Sequence, residues 1–254
     1  MVQRVPASDR ARRRRDGWEV RCGNAHPRLG RALGVLAMRR SGHQLCPDRR
    51  EALTVTLPQV QPIIPTRRAE PFDGAGWLFD CKYDGFRAVC YVQQGRGRFV
   101  SRNGHPMGRF DELGGELAAL LDLDEAILDG EVIAADESGR PQFYDLLRGA
   151  QAPAYVAFDI LWADGRDLRA LPLSERRLHL LSLLPTRCTL LPETLSVVGR
   201  GCELFALMCA HDLEGIVAKR LADPYGPRTR WLKIKNPGYS QAEGRAELFN
   251  RERG

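Results

Sequence analysis

Regular spacing of apolar and polar positions begins near Phe72. Trp77–Lys82, Phe86–Gln93 and Arg98–Arg102 are short apolar runs separated by Asp84-Gly85 and Gly95–Gly97, and they predict three strands joined by turns. Phe110–Leu121 places Leu113, Leu117, Leu120 and Leu121 on one face and predicts a helix. A strand over Ala126–Ala134, a short helix over Phe143–Leu147 and a strongly apolar strand over Tyr155–Trp162 follow, the last running into an Asp164-Gly165 turn. Ser174 is placed to cap a helix reaching about Leu184, with Arg176 and Arg177 in its first turns. Arg200–His211 predicts a helix that ends at Gly215. Gly215–Arg220 and Trp231–Lys235 predict strands, and Ser240–Arg251 a terminal amphipathic helix. Hairpins and helices mixed without βαβ regularity indicate an α+β fold.

Before Phe72 the pattern is different. Residues 1–50 show no sustained periodicity and contain the run Arg12-Arg13-Arg14-Arg15, as expected of a disordered basic extension. That extension is a solvated tail, a segment upstream of the native start, or an arm that touches nucleic acid. Residues 51–71, with prolines at 58, 62, 65 and 71, predict an extended linker. The folded body is then 72–254.

Charge follows the same division. The formal net charge is +6, but residues 1–50 hold 13 arginines and four acids, a net of +9. The rest carries 25 bases against 28 acids, a net of −3, so any polyanion must meet a local basic surface of the body. Hydrophobic residues make up 43% and charged residues 28%, a globular rather than a disordered composition. No apolar run approaches a membrane span, and the basic start is not followed by the apolar segment of a secretory signal. Seven scattered cysteines include no C-x-x-C pair, which argues against a zinc site or a disulfide framework and for reduced thiols in the cytoplasm.

Lysine is rare here. Only Lys82, Lys219, Lys233 and Lys235 occur, against 34 arginines, and each lies in a short polar motif beside an apolar strand. A lysine amine can lose its proton and attack, whereas arginine stays charged. Residues two apart share a strand face, so Asp80 and Lys82 (with Asp84 if the strand extends), Asp129 and Glu131, and Lys233 and Lys235 each point one way. Singly, these are ordinary features: Asp129-Gly130-Glu131 reads as a turn, Lys233-x-Lys235 as an edge-strand guard, Glu214-Gly215 as a helix end. Together they suggest a polar cleft over a sheet, with cations for phosphate and carboxylates for a divalent metal.

Lys82-Tyr83-Asp84-Gly85-Phe86-Arg87 resembles the K-x-D-G-x-R signature of the covalent nucleotidyltransferases, which comprise ATP-dependent DNA ligases, RNA ligases and mRNA capping enzymes. Ser101-Arg102-Asn103-Gly104, Leu128–Glu131, Phe158–Leu161, Glu214–Lys219 and Trp231–Lys235 resemble the later motifs, in order. The segments Asp164–Leu168 and Leu171–Arg177 are most similar to bacterial ATP-dependent DNA ligases, in particular the ligase part of the ligase D group. The resemblance spans about 58–250. It implies mainly antiparallel sheets flanked by helices, with a nucleotide cleft between them.

The resemblance also implies roles. Lys82 attacks the α-phosphate of ATP and becomes lysyl-AMP. An amine attacks when unprotonated, a state favoured by nearby cations such as Lys233, Lys235 or a metal. Lys233 and Lys235 hold the α-phosphate, and Arg87 and Glu131 the ribose hydroxyls. Phe158 stacks on adenine, Lys219 and Asp80 line the pocket, and Arg102 reaches phosphate. Glu214, with Asp129, serves Mg²⁺ or Mn²⁺. The implied substrate is nicked or broken duplex DNA in repair or recombination, so the protein is expected with the nucleoid. Two departures are visible. The usual acid before the nucleophile is glutamate, and here Asp80 is one methylene shorter. The family continues into an OB-fold domain, and the tail after Lys235 is too short to form such a barrel. The expectation is an adenylation domain that meets an OB-fold or end-joining partner in trans. An RNA ligase-type AMP transferase and a non-catalytic DNA- or nucleotide-binding remnant are the alternatives.

Overall fold

The computed structural model describes residues 56–121 and 123–242. The basic extension expected over 1–50, and the expected terminal helix beyond a 3₁₀ turn at Ser240–Ala242, lie outside the described residues.

The central hairpin shows how sequence rhythm becomes architecture. In β3 (Phe86–Gln93), Ala88, Cys90 and Val92 join one core, while Val89 and Tyr91 join another. Strand side chains alternate, so a strand apolar at every position is buried on both faces. The strands β4 (Arg96–Ser101), β5 (Glu125–Ile133), β6 (Ala154–Ala163) and β7 (Arg166–Asp167) complete an antiparallel sheet in the order β4-β3-β5-β6-β7. Its outer face packs on α1 (Asp111–Leu121) and α3 (Leu173–Leu183) through Leu113, Leu117, Leu121 and Leu180.

A second sheet runs β1-β10-β9-β2-β8, from β1 (Thr66–Arg67), β2 (Gly74–Cys81), β8 (Ser196–Gly199), β9 (Gly215–Arg220) and β10 (Leu232–Lys235). Only the β1–β10 pair is parallel. On one face of this sheet Phe79, Cys81, Ile216, Ala218 and Ile234 bury against Leu204 and Met208 of α4 (Gly201–Ala210). A short helix, α2 (Phe143–Arg148), lies between β5 and β6 in the chain.

Three expectations change, and one ambiguity is settled. Residues 57–71 are not a linker: Leu57 and Ile63 are buried, and Thr66 and Arg68 donate backbone hydrogen bonds to Trp231 and Lys233. Proline keeps this segment extended, and its apolar side chains then dock it. Asp129-Gly130-Glu131, which taken singly reads as a turn, lies mid-strand in β5, as the strand expected over Ala126–Ala134 requires. Its glycine is required because a Cβ there would lie 2.5 Å from the Tyr155 ring. The α3 helix starts at Leu173 with Pro172 at its N-cap, while Ser174 donates its backbone N–H to the Leu221 carbonyl. Finally, β2 ends at Cys81, so Asp84 leaves the face shared by its predecessors and accepts a hydrogen bond from Tyr239 at 2.9 Å.

Strand β6 carries two extra residues relative to β5. Trp162 pairs with Ile127, Ile160 with Leu128, Asp159 with Asp129 and Ala157 with Gly130, leaving Leu161 and Phe158 unpaired. Such bulges re-aim side chains. Tyr155, Ala157 and Ile160 face the helices, whereas Phe158 and Leu161 turn to the opposite side.

Candidate active site

The face of each sheet turned away from its helices contributes to one cleft. The sheet of β2, β9 and β10 supplies Asp80, Lys219, Val217 and Lys233, and Lys82 follows the end of β2. The other sheet supplies Arg87, Glu131 and Phe158, with Arg102 just beyond β4. Trp231, Tyr83, Cys81 and the strap Pro62-Ile63-Ile64-Pro65 complete the wall.

Lys82 Nζ lies 2.5 Å from Glu214 Oε2, and Lys235 Nζ lies 2.9 Å from Glu214 Oε1. Burial works to raise the Glu214 carboxyl, but the Lys82 and Lys235 ammonium groups outweigh it and hold the group below its ordinary range. Gly215 follows with φ of +132°, and a Cβ there would meet the Ile234 carbonyl at 2.1 Å. The Glu214-Gly215 pair is therefore fixed by close approach to β10. Burial, then repulsion from Lys82 and Lys235, lowers Lys233. Cys81, beside the lysine, is pushed up to about 12, mainly by burial, so its thiol stays protonated.

The deep end of the cleft is ionic and aromatic. Lys219 is 1% exposed, with Nζ 2.6 Å from Asp80 Oδ2. Its amine also lies 4.1 Å from the Phe158 ring centroid and 4.2 Å from that of Trp231. The 2.6 Å approach of Lys219 to Asp80 is off ideal hydrogen-bond alignment, and among the described residues no other hydrogen bond reaches Nζ or either Asp80 oxygen. Burial lowers Lys219 despite the attraction of Asp80. Arg177 is a second cation near Asp80, at 3.8 Å, and is anchored on the Phe158 carbonyl.

Arg87 and Glu131 are cross-strand partners on β3 and β5. Arg87 donates through Nε and Nη2 to Asp129 at 2.7 and 2.6 Å, and its guanidinium lies 4.5 Å from the Phe158 ring centroid. Glu131 rises to about 7, chiefly by burial, which Lys82 and Arg87 only partly offset.

With this geometry in view, similarity to known proteins becomes informative. The sequence profile of the ATP-dependent DNA ligase domain matches residues 64–235. The chain belongs to the ATP-dependent DNA ligase domain family. It is 36% identical over 168 residues to the multifunctional non-homologous end joining protein LigD of Pseudomonas aeruginosa, covering 63% of this chain and 20% of that protein. It is 30% identical over 196 residues to the SPbeta prophage-derived DNA ligase-like protein LigB of Bacillus subtilis, covering 72% and 69% respectively. A mycobacterial DNA ligase D complexed with ATP and MES superposes with a TM-score of 0.61 at 30% identity, covering 68% of this chain and 59% of that one. This chain thus spans only about a fifth of the LigD relative's length.

The ligase domain gathers most of the expected residues: Asp80, Lys82, Arg87, Arg102, Glu131, Phe158, Lys219 and Lys233 all line the cleft. Glu214 and Lys235 adjoin it through Lys82. Asp129, expected beside Glu214 at a metal, is enclosed instead. It is fully buried, and its oxygens accept from Arg87 and from the Tyr225 hydroxyl at 2.7 Å. Sequence reasoning missed the Pro62–Pro65 strap, Arg177 and Tyr225. The strap carried a signal in two isoleucines held between prolines, and Arg177 in its place within the Leu171–Arg177 segment; Tyr225 carried none. No helix among the described residues is long and apolar enough to cross a membrane.

Proposed function

We propose that this chain is the adenylation domain of an ATP-dependent DNA ligase, and that Lys82 is its nucleophile. The observation that carries this reading is the convergence on one cleft of Lys82, a phosphate-binding cation set and an aromatic-lined floor with unsatisfied polar atoms. Buried polar groups demand partners, and an adenine ring supplies donors and acceptors to the Asp80–Lys219 floor. Phe158 and Trp231 bound the base, Arg87 and Glu131 the ribose, and Lys233, Lys235 and Arg102 the phosphates. The Lys82 nitrogen forms a bond to the α-phosphorus as the bond to pyrophosphate breaks, and Glu214 is the nearest base for the proton the amine must shed. AMP then passes to a 5′-phosphate at a nick, and the 3′-hydroxyl displaces it to seal the strand. DNA repair or recombination, in the cytoplasm with the nucleoid, is the setting this chemistry fits.

The family implies a divalent cation. Among the described residues no group of three or more His, Cys, Asp or Glu side chains is placed to hold one. The donors fit a metal carried by the triphosphate, with Glu214 as the protein carboxylate, since Mg²⁺ commonly combines one or two carboxylates with water and phosphate oxygens. Such an ion would supply charge neutralisation at the phosphates. Asp129 is assigned to orienting Arg87.

Incubation with Mg²⁺ and α-labelled ATP tests the reading. Wild-type protein is expected to acquire label of phosphoramidate type, labile to acid and stable to alkali, and Lys82→Ala to acquire none. Sealing of pre-adenylated nicked DNA, compared with nicked RNA, tests the later steps and the substrate. A wild-type protein that neither labels nor seals overturns the assignment.

A further inference from the structure

Tyr225 lies outside every motif that carries the family resemblance, yet its hydroxyl stands where two parts of the cleft wall meet. The residue sits in the loop between β9 and β10, with its ring buried and edge-on to Trp231 at 5.9 Å. The hydroxyl donates to Asp129 Oδ2 at 2.7 Å and accepts the Ile63 N–H at 3.3 Å. Asp129 in turn grips Arg87 by two bonds. Ile63 is in the strap between Pro62 and Pro65, which have no N–H of their own to anchor it.

We propose that Tyr225 is a positioning residue for nucleotide binding: one hydroxyl aims Arg87 through Asp129 and pins the Pro62–Pro65 strap as a wall of the cleft. This inference rests on reading the cleft as a nucleotide site. The terminal torsion of an aspartate is broad, so a carboxylate gripped only by one guanidinium can swing with it. A third contact from a different loop fixes the carboxylate plane and therefore the guanidinium. Burial and the Asp129 carboxylate push the phenol far above its ordinary range, so it remains a donor. The same oxygen accepts from the strap, and both walls thereby share one reference point.

Tyr225→Phe keeps the ring and its contact with Trp231 and removes only the hydroxyl. ATP titrated into the full chain should bind about tenfold more weakly, the order expected for losing one to two net hydrogen bonds. The rate of lysyl-AMP formation at saturating ATP should change less than about twofold, because Lys82 and Glu214 are untouched. In an Asp129→Asn background the added effect of Tyr225→Phe should fall to about threefold or less, since the route through Asp129 is already broken. Unchanged ATP affinity in Tyr225→Phe, with only a lowered unfolding midpoint, would reduce Tyr225 to a packing residue and overturn the proposal. So would a full tenfold loss that persists with Asp129→Asn. If wild-type protein fails to bind ATP, the nucleotide reading itself falls and takes this inference with it.

Discussion

Two buried ion pairs in this protein look alike in composition and differ in completion. Arg176 and Asp159 are both 0% exposed and joined by two bonds at 2.8 and 2.9 Å. Arg176 spends its remaining donors on the carbonyls of Leu171 and Asp223. Lys219 and Asp80 are 1% and 2% exposed, but their 2.6 Å contact is poorly aligned, and among the described residues no other hydrogen bond reaches Nζ or the carboxylate. The first pair ties α3 to β6 and to the loop after β9. The second forms the floor of the cleft. A closed network rigidifies, whereas an open one holds unmet polar demand that a ligand can satisfy. Arginine, with its planar fork, serves the closed site; lysine, a compact charge, serves the open one.

The sharpest way to break this contrast is Arg176→Met. It strands the Asp159 carboxylate in the core and should remove about 3–5 kcal/mol of stability in urea unfolding, while the folded fraction binds ATP normally. A loss below about 1 kcal/mol would show that the pair is not the closed structural unit described.

Lys219→Met should cost less, about 1–3 kcal/mol, because water entering the cleft can solvate Asp80. ATP affinity, however, should fall by tenfold or more. Adding Asp80→Asn should recover most of the stability and none of the affinity. Recovery of binding in the double variant would mean that charge balance, not specific polar contact, is what the floor provides.

The smallest effect concerns Glu131. Burial holds its folded carboxyl at about 7, above the ordinary value of about 4.5. The folded state therefore keeps its proton longer than the unfolded chain does. Wild-type stability falls as pH rises from about 4.5 to about 7 and is level above that. Glu131→Gln lacks this loss and should be more stable by roughly 1–2 kcal/mol at pH 8, with no gain at pH 4. Thermal melts across that range check the sign, and a gain that grows toward low pH would contradict it.

How much of this was readable beforehand depended on distance along the chain. Lys82 and Arg87 were legible because their motif is six residues long and local. Phe86–Gln93 and Gly215–Arg220 match their predicted strands end to end, since apolar runs bounded by turn residues report burial directly. Phe158 was placed by resemblance alone. Strand periodicity counted from Tyr155 gives its face but not its role, and the β6 bulges break the count only beyond it, where Ile160 returns to the face of Tyr155. Asp129 was assigned to a metal because its neighbours carry charge. The sequence holds no sign that Tyr225, 96 positions away, closes over it.

By itself, then, the sequence determined most of the strand and helix inventory of the body, though not the short strands β1, β7 and β8, and the family to which the chain belongs. Each of these rests on short-range pattern, where one residue's neighbours in sequence are also its physical context. Tertiary structure alone decided which ion pair is closed and which is open, that the Pro62–Pro65 segment is a wall rather than a linker, and that Asp129 serves Arg87. Those outcomes depend on which side chains from distant elements fill the remaining hydrogen-bond positions. That is a property of packing in three dimensions, with no counterpart in the linear order of residues.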